Sequence, residues 1–503
     1  MWDLEFPIQG WSDPIVRCGS WLAIALCVLP GCKDKDVDAS GDETPAVAGE
    51  ACAVEEGDVA QCAEGLACEP AGDPNADGEV DHVCGAPLEV RGAVFDAMTD
   101  EPLEGALVSA LDETGAPVSD VAVTDADGHY VLRVSARRDE AGLITDALKW
   151  TLFATAKDYQ PFPAGVRPAI PINAVDATEE MGEDDSVLEV IENASTDVGL
   201  LALPADQLGG RTVTGTVGGE HSGGTLVVAE GSTPAPYAVA DASGTYTIFN
   251  VPTGGASIVG YRRGLSVRPA SVDGDGDQQD VHLELIAEGL DALPQVAGSV
   301  NIVNASGGSQ TSVVLVPVSV YNTALERGPV PFGLRAPEPP LAPEVSGAFG
   351  IDGVPPGTYK VLAAFENDSL VRDPDEGIAG TDIPEITVGD ASLTVDQSFK
   401  ITEALSVISP GAETPEVVDA VPTFVWADDS SEDAYQVVVF DAFGTNVWEN
   451  LEVPRVTGAD NVEVEYGGPP LTSGMYYQFR ATSVKSGSAI SRTEDLRGVF
   501  VGP

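Results

Sequence analysis

Three times between residues 88 and 400 the chain repeats two short patterns in the same order. The first is Val-x-Gly-x-Val, as Val90-Arg91-Gly92-Ala93-Val94, Val213-Thr214-Gly215-Thr216-Val217 and Val296-Ala297-Gly298-Ser299-Val300. The second is Gly-x-aromatic-x-aliphatic, as Gly128-His129-Tyr130-Val131-Leu132, Gly244-Thr245-Tyr246-Thr247-Ile248 and Gly347-Ala348-Phe349-Gly350-Ile351. Residues two apart share one face of a strand, so each pattern predicts a half-buried strand, the second one entered through a glycine that ends a turn. Val251-Pro252-Thr253-Gly254 and Val354-Pro355-Pro356-Gly357 add a turn into a further strand. Leu226-Val227-Val228 and Val313-Val314-Leu315-Val316 read as continuous apolar strands of a sandwich core. Loose recurrence of this kind signals modular construction, and 503 residues leave room for several domains. Gly 55 and Pro 37 favour many short strands over long helices. The predicted fold class is therefore all-β, with tandem β-sandwich modules after a small disulfide-rich segment.

The motifs resemble the carboxypeptidase regulatory-like domain, a transthyretin-like β-sandwich. The first unit is the nearest match, from Val90 through Glu101-Pro102-Leu103-Glu104-Gly105-Ala106 and Thr124-Asp125-Ala126-Asp127-Gly128-His129-Tyr130 to Leu152-Phe153-Ala154-Thr155-Ala156-Lys157-Asp158-Tyr159. The other two units match at the repeated motifs alone. The resemblance implies sandwiches over residues 88–204, 211–287 and 294–400. In metallocarboxypeptidases such a domain accompanies a zinc catalytic domain, which is missing here: none of His82, His129, His221 or His282 opens an H-x-x-E ligand pair. Residues 404–503 differ, and resemble an immunoglobulin or fibronectin type III sandwich through Phe424-Val425-Trp426, Tyr435 to Phe440, Val447-Trp448 and Gly474 to Ala481. Trp426 reads as a core tryptophan and Tyr477 as a corner tyrosine.

Lys+Arg 24 against Asp+Glu 81 gives a formal net charge of -57, a field that repels phosphate backbones and excludes nucleic-acid partners. Residues 18–31, CGSWLAIALCVLPG, are too short an apolar run to span a bilayer, and read as a signal-peptide core. Leu29-Pro30-Gly31-Cys32 resembles the bacterial lipobox, which implies lipidation of Cys32 and anchoring of the chain in the cell envelope, at the outer membrane; a soluble secretory signal is the alternative. Residues 1–31 are thus a lipoprotein signal peptide and 32–50 a linker. Residues 1–15 hold three acidic and no basic residues, unlike a signal n-region, and read as untranslated, with initiation at Val16.

Export accords with the cysteines. Cys18 and Cys27 leave with the signal, and Cys52, Cys62, Cys68 and Cys84 in the Cys-rich module of residues 51–87 are an even set suited to two disulfides. A zinc site would call for CxxC half-sites, which the set lacks. The spacing resembles Cys-rich modules that follow the anchor in bacterial surface lipoproteins; the pairing stays open.

Candidate chemistry is sparse. Asp73, Asn75, Asp77 and Asp81, with Gly78 at the turn, have the layout of a calcium loop, but Cys84 stands where a bidentate Glu belongs, so calcium binding is weak and a plain acidic turn is the competing reading. Asp273-Gly274-Asp275-Gly276-Asp277 with Asp280 is a weaker version, Asp125-Ala126-Asp127-Gly128 reads as turn chemistry, and EEMGEDD from Glu179 to Asp185 as a solvated loop. No G-x-S-x-G elbow or H-E-x-x-H helix occurs, and no enzyme activity or cofactor is expected. The functional expectation is a non-enzymatic envelope lipoprotein presenting sandwiches for adhesion or envelope assembly, with the membrane and another envelope protein as partners. The alternative is a glycan-binding surface protein using Tyr159, Tyr237 and Tyr261.

Overall fold

The computed structural model describes residues 63, 66–72, 81–85, 88–134, 136, 144, 149–181, 187–302, 311–339, 341, 345, 347–365, 377, 383–396, 399–401, 404–494 and 496–503. The chain divides into two units, 1–44 and 45–503, and every described residue belongs to the second. It is all-β. Among the described residues the helical elements are three single 3-10 turns, Ala174–Asp176, Leu290–Ala292 and Val318–Val320, and no helix is long and apolar enough to cross a membrane.

The repeated motifs build the same pair of neighbouring strands in three successive sandwiches. In the first, Leu88–Asp96 lies between His129–Val134, antiparallel, and the parallel strands Val187–Ile191 and Val198–Leu200. In the second, Arg211–Val217 lies between antiparallel Thr245–Val251 and parallel Gln278–Leu283. In the third, Val296–Ile302 lies between antiparallel Ala348–Ile351 and the parallel strands Leu393–Thr394 and Phe399–Ile401. The facing sheets also share one order. Ala122–Val123, Leu107–Leu111, Lys149–Thr155 and Ile172–Asn173 correspond to Tyr237–Val239, Leu226–Glu230, Ala256–Tyr261 and Ala270–Val272, and to Arg335–Ala336, Thr311–Pro317, Gly357–Phe365 and Glu385–Val388.

The register explains the motifs. Gly92 stands opposite Tyr130, Gly215 opposite Tyr246 and Gly298 opposite Phe349. Without a Cβ at the glycine, the ring can lie across the central strand. The Tyr130 hydroxyl then donates to the Thr196 carbonyl at 2.6 Å, and that of Tyr246 to the Val281 carbonyl at 2.8 Å, each on the parallel side. A Cβ at Gly215 would stand 1.8 Å from that same Val281 oxygen.

Alternation holds where one face meets solvent: in His129–Val134 every second residue is buried. Thr311–Pro317 is instead buried along its whole length, because a second sandwich covers its other face. Val314 and Val316 share one apolar core with Leu226, Val228 and Tyr261 of the preceding sandwich. The acidic stretch expected to be a loop is in part a strand: Thr178–Met181 pairs with Val187–Ile191, and its register brings Glu180 within 2.9 Å of Arg91, so main-chain pairing and an ion pair outweigh the acidic composition. Residues 182–186 lie outside the described residues.

The fourth sandwich sets Val407–Ser409, Thr423–Ala427 and Asn461–Glu465 against a sheet ordered Glu416–Val417, Val499–Val501, Tyr476–Lys485, Ala434–Asp441, Asn446–Pro454. Trp426 is fully buried at 5.6 Å from the Tyr435 ring, and Phe424 stacks on Phe479 at 4.7 Å. The Tyr477 hydroxyl accepts the Thr472 N–H at 2.9 Å, the tie that a corner tyrosine makes to backbone just upstream.

Candidate functional site

Of the residues singled out for lipidation, disulfides or calcium, Cys32, Cys52, Cys62, Asp73, Asn75 and Asp77 lie outside the described residues. Cys68 and Asp81 are placed in backbone, in the antiparallel strands Ala67–Gly72 and Asp81–Gly85, where Cys68 and Cys84 are opposite each other. Cys84 is buried and disulfide-bonded.

The second acidic loop has its own internal cation. Arg211, 1% exposed, sends Nη1 to the Gly274 carbonyl at 2.7 Å and Nη2 to the Gly254 carbonyl at 2.6 Å and the Val272 carbonyl at 3.3 Å. Asp277 accepts the Thr212 N–H at 2.8 Å, so the acidic loop is tied to the strand that carries the arginine. Of these carbonyls that of Gly274 belongs to the acidic loop, so the guanidinium occupies a backbone oxygen there. Among the described residues no group of three His, Cys, Asp or Glu side chains could hold a metal. Asp125 does what its turn predicts: its carboxylate accepts the Asp127 and His129 N–H groups, both at 2.9 Å, around Gly128 at φ +79°.

Two imidazoles make pairs. His282 Nδ1 lies 2.8 Å from Thr216 Oγ1 on an exposed sheet face, and His221 Nδ1 lies 3.0 Å from Glu288. Glu288 also accepts the His221 and Glu220 N–H groups, and these bonds, the backbone bond from His221 foremost, hold its carboxyl below the usual range. Among the described residues no carboxylate is hydrogen-bonded to His282, so the hydroxyl–imidazole pair lacks the orienting acid that nucleophilic catalysis uses.

The tyrosines put forward for sugar stacking are occupied. The Tyr159 hydroxyl donates to Asp96 at 3.0 Å, and burial, then that bond, push its pKa up to about 12. Tyr237 packs on Phe153 at 6.3 Å and donates to the Pro163 carbonyl, and burial raises its hydroxyl. Tyr261 meets Tyr359 edge-on at 5.8 Å and donates to Glu230 at 2.7 Å. Each of the three is thus tied to groups of its own chain, and Tyr237 and Tyr261 lie in strands rather than on loop tips.

Instead, the polar and aromatic side chains gather at seams between sandwiches. Between the first and second, Asn250 accepts the Asp158 N–H at 2.6 Å and donates to the Tyr159 carbonyl at 3.0 Å. Between the second and third, Arg263 pairs with Glu338, Arg262 lies 4.4 Å over the Phe332 ring, and Ser319 joins Tyr261 on Glu230. Between the third and fourth, Glu326 sits between Arg480 and Arg492, each at 2.8 Å. Between the first and fourth, Gln160 donates to the Ala442 carbonyl at 3.2 Å, and Arg167 lies between the rings of Phe162 and Tyr476. Periodicity cannot find such residues, but scarcity can: with Lys+Arg 24 in 503 residues, an arginine inside an apolar pattern is a candidate tie.

No family model matches the sequence, and no curated protein matches it. Among solved structures, the chain aligns with the major pilin subunit of Bacillus cereus at 10% identity over 62% of this chain and 99% of that one, with a TM-score of 0.17. It aligns with the minor pilin of Streptococcus agalactiae at 13% identity over 40% of this chain and 100% of that one, with a TM-score of 0.17. A shaft pilin of Lactobacillus rhamnosus GG gives 12% identity over 40% and 98%, with a TM-score of 0.16. Scores this low carry no argument about this chain, whose assignment as tandem β-sandwiches rests on its own sheets.

Proposed function

We propose that this chain is a non-enzymatic envelope lipoprotein whose sandwiches, the first three of carboxypeptidase regulatory-like type, form a scaffold for adhesion or envelope assembly. The observation that carries the reading is where the reactive side chains lie. Among the described residues, the buried guanidiniums of Arg211 and Arg480 and the hydroxyls of Tyr237 and Tyr261 hold loops and seams together, an organisation suited to displaying a rigid surface. A net charge of -57 keeps such a scaffold soluble and off anionic lipid, so membrane attachment falls to the acyl chains of Cys32.

Fractionation tests the anchor and a display assay the scaffold. The full chain should sediment with membranes and incorporate labelled fatty acid, and Cys32→Ala should appear in the soluble exported fraction; a membrane-bound variant rejects the anchor. Cells carrying the full chain should gain adherence or an altered envelope relative to cells lacking it, and hydrolysis of an added peptide, ester or glycoside by the purified chain would reject the non-enzymatic reading.

A further inference from the structure

We propose that the seam between the first and fourth sandwiches is a releasable latch, which opens as a unit without unfolding either sandwich. The contact is a built one. Gly165 of the first sandwich, at φ +59°, would place a Cβ 2.2 Å from the Ala442 carbonyl oxygen, and Gly474 of the fourth, at φ +73°, would place one 2.4 Å from the Ala97 carbonyl oxygen. Each sandwich thus offers a left-handed glycine to the other's backbone, an approach closed to any residue with a side chain.

The same seam holds a buried charge that no carboxylate offsets among the described residues. The second and third sandwiches share an apolar core, and a carboxylate lies between two guanidiniums where the third meets the fourth. The first and second are consecutive in the chain, so their contact needs no long loop closure. The first and fourth are held by the apolar group of Val166, Leu201, Ala442 and Val499, which Leu325 of the third sandwich also joins, and by Arg167. That guanidinium is 7% exposed and stands 5.0 Å from the Phe162 ring and 4.9 Å from the Tyr476 ring. Its Nη2 donates to the Gly199 carbonyl, a side-chain hydrogen bond to Tyr476 favours its charged form, and among the described residues no carboxylate pairs with it. Gln160 Oε1, beside it at the seam, is buried without a donor among the described residues. Burial pulls the arginine below its ordinary pKa, offset in part by Tyr476. A buried cation with no carboxylate partner and a buried acceptor without a donor among the described residues both regain water when the seam opens, which lowers the cost of opening. A specified contact with that imbalance has two discrete arrangements, closed and open.

Hydrogen exchange on the full chain decides the matter, because exchange reports local opening separately from global unfolding. In Tyr476→Ala, amides of residues 160–167 and 440–444 should exchange roughly tenfold faster or more, and those of 313–316 and 359–363, in the core shared by the second and third sandwiches, should be unchanged. Gly165→Ala sets a Cβ against the Ala442 carbonyl and leaves every core side chain in place, so it should move the same segments in the same direction even if Tyr476→Ala folds poorly. Unchanged exchange at the seam in Gly165→Ala, or acceleration in step across all four segments, would overturn the proposal.

Discussion

Each of the three repeated glycines solves a local problem that a strand rarely has: an aromatic ring must cross the strand to reach the chain beyond it. A mid-strand glycine ordinarily weakens a sheet. Here the ring fills the space, and its hydroxyl satisfies a carbonyl beyond the central strand, for Tyr246 on the parallel strand and for Tyr130 in the turn that leads into it. Gly215→Ala should therefore lower stability by about 1–3 kcal/mol, the usual cost of overpacking, since the Val281 oxygen that a methyl would strike is backbone. Gly389→Ala, whose Cβ meets nothing within 4 Å, should stay within about 0.5 kcal/mol of the parent. Denaturant midpoints at unchanged slope measure both. Tyr246→Phe keeps the ring and loses the 2.8 Å bond, so its cost should be about 1 kcal/mol. The third unit already uses Phe349 at this place, which shows that the ring and not the hydroxyl is the requirement.

At the scale of elements, turns and strand faces were legible from sequence, and what lies beyond their edges was not. Asp241 and Asp441 repeat the turn of Asp125, each carboxylate accepting two N–H groups around a glycine at positive φ. Such turns are readable because donor, acceptor and glycine lie within five residues. The loop of Asp273, Asp275 and Asp277 shows the opposite. Its acidic spacing reads as a cation site, whereas the cation is Arg211, more than sixty positions away in sequence and brought there only by strand pairing. Arg211→Ala should lower the stability of the second sandwich by about 3 kcal/mol, since it strips a charged donor from buried carbonyls. Millimolar calcium should not restore it; recovery of the melting midpoint by calcium would show that the loop is an ion site after all. The seams were illegible for the same reason. Tyr237 and Tyr261 look like loop aromatics until the sandwich that covers them is known, and the full burial of Thr311–Pro317 reflects a neighbour's face as much as its own core.

Over the whole molecule, burying tyrosines in cores and seams makes stability depend on alkaline pH. Burial raises the hydroxyls of Tyr130, Tyr246, Tyr261, Tyr359, Tyr435 and Tyr466, with help from Glu230 at Tyr261, and takes Tyr159 up to about 12. In the unfolded chain these groups ionise near their ordinary value of about 10. Below that pH both states keep the protons, so the tyrosines have no effect on the folding equilibrium. Between about 10 and 12 the unfolded state releases protons that the folded state retains, and stability falls as pH rises. Growing negative charge on a chain already at -57 adds self-repulsion in the same direction. The expected outcome is a melting temperature that holds from neutral pH to about 10 and then drops, with tyrosinate absorbance appearing together with unfolding rather than before it. Added salt should delay the drop, because at 0.15 M screening acts over about 8 Å and damps the surface repulsion while leaving buried hydroxyls untouched. Tyrosinate that forms fully near pH 10 while the fold persists would mean that these rings are open to water, and the seams with them.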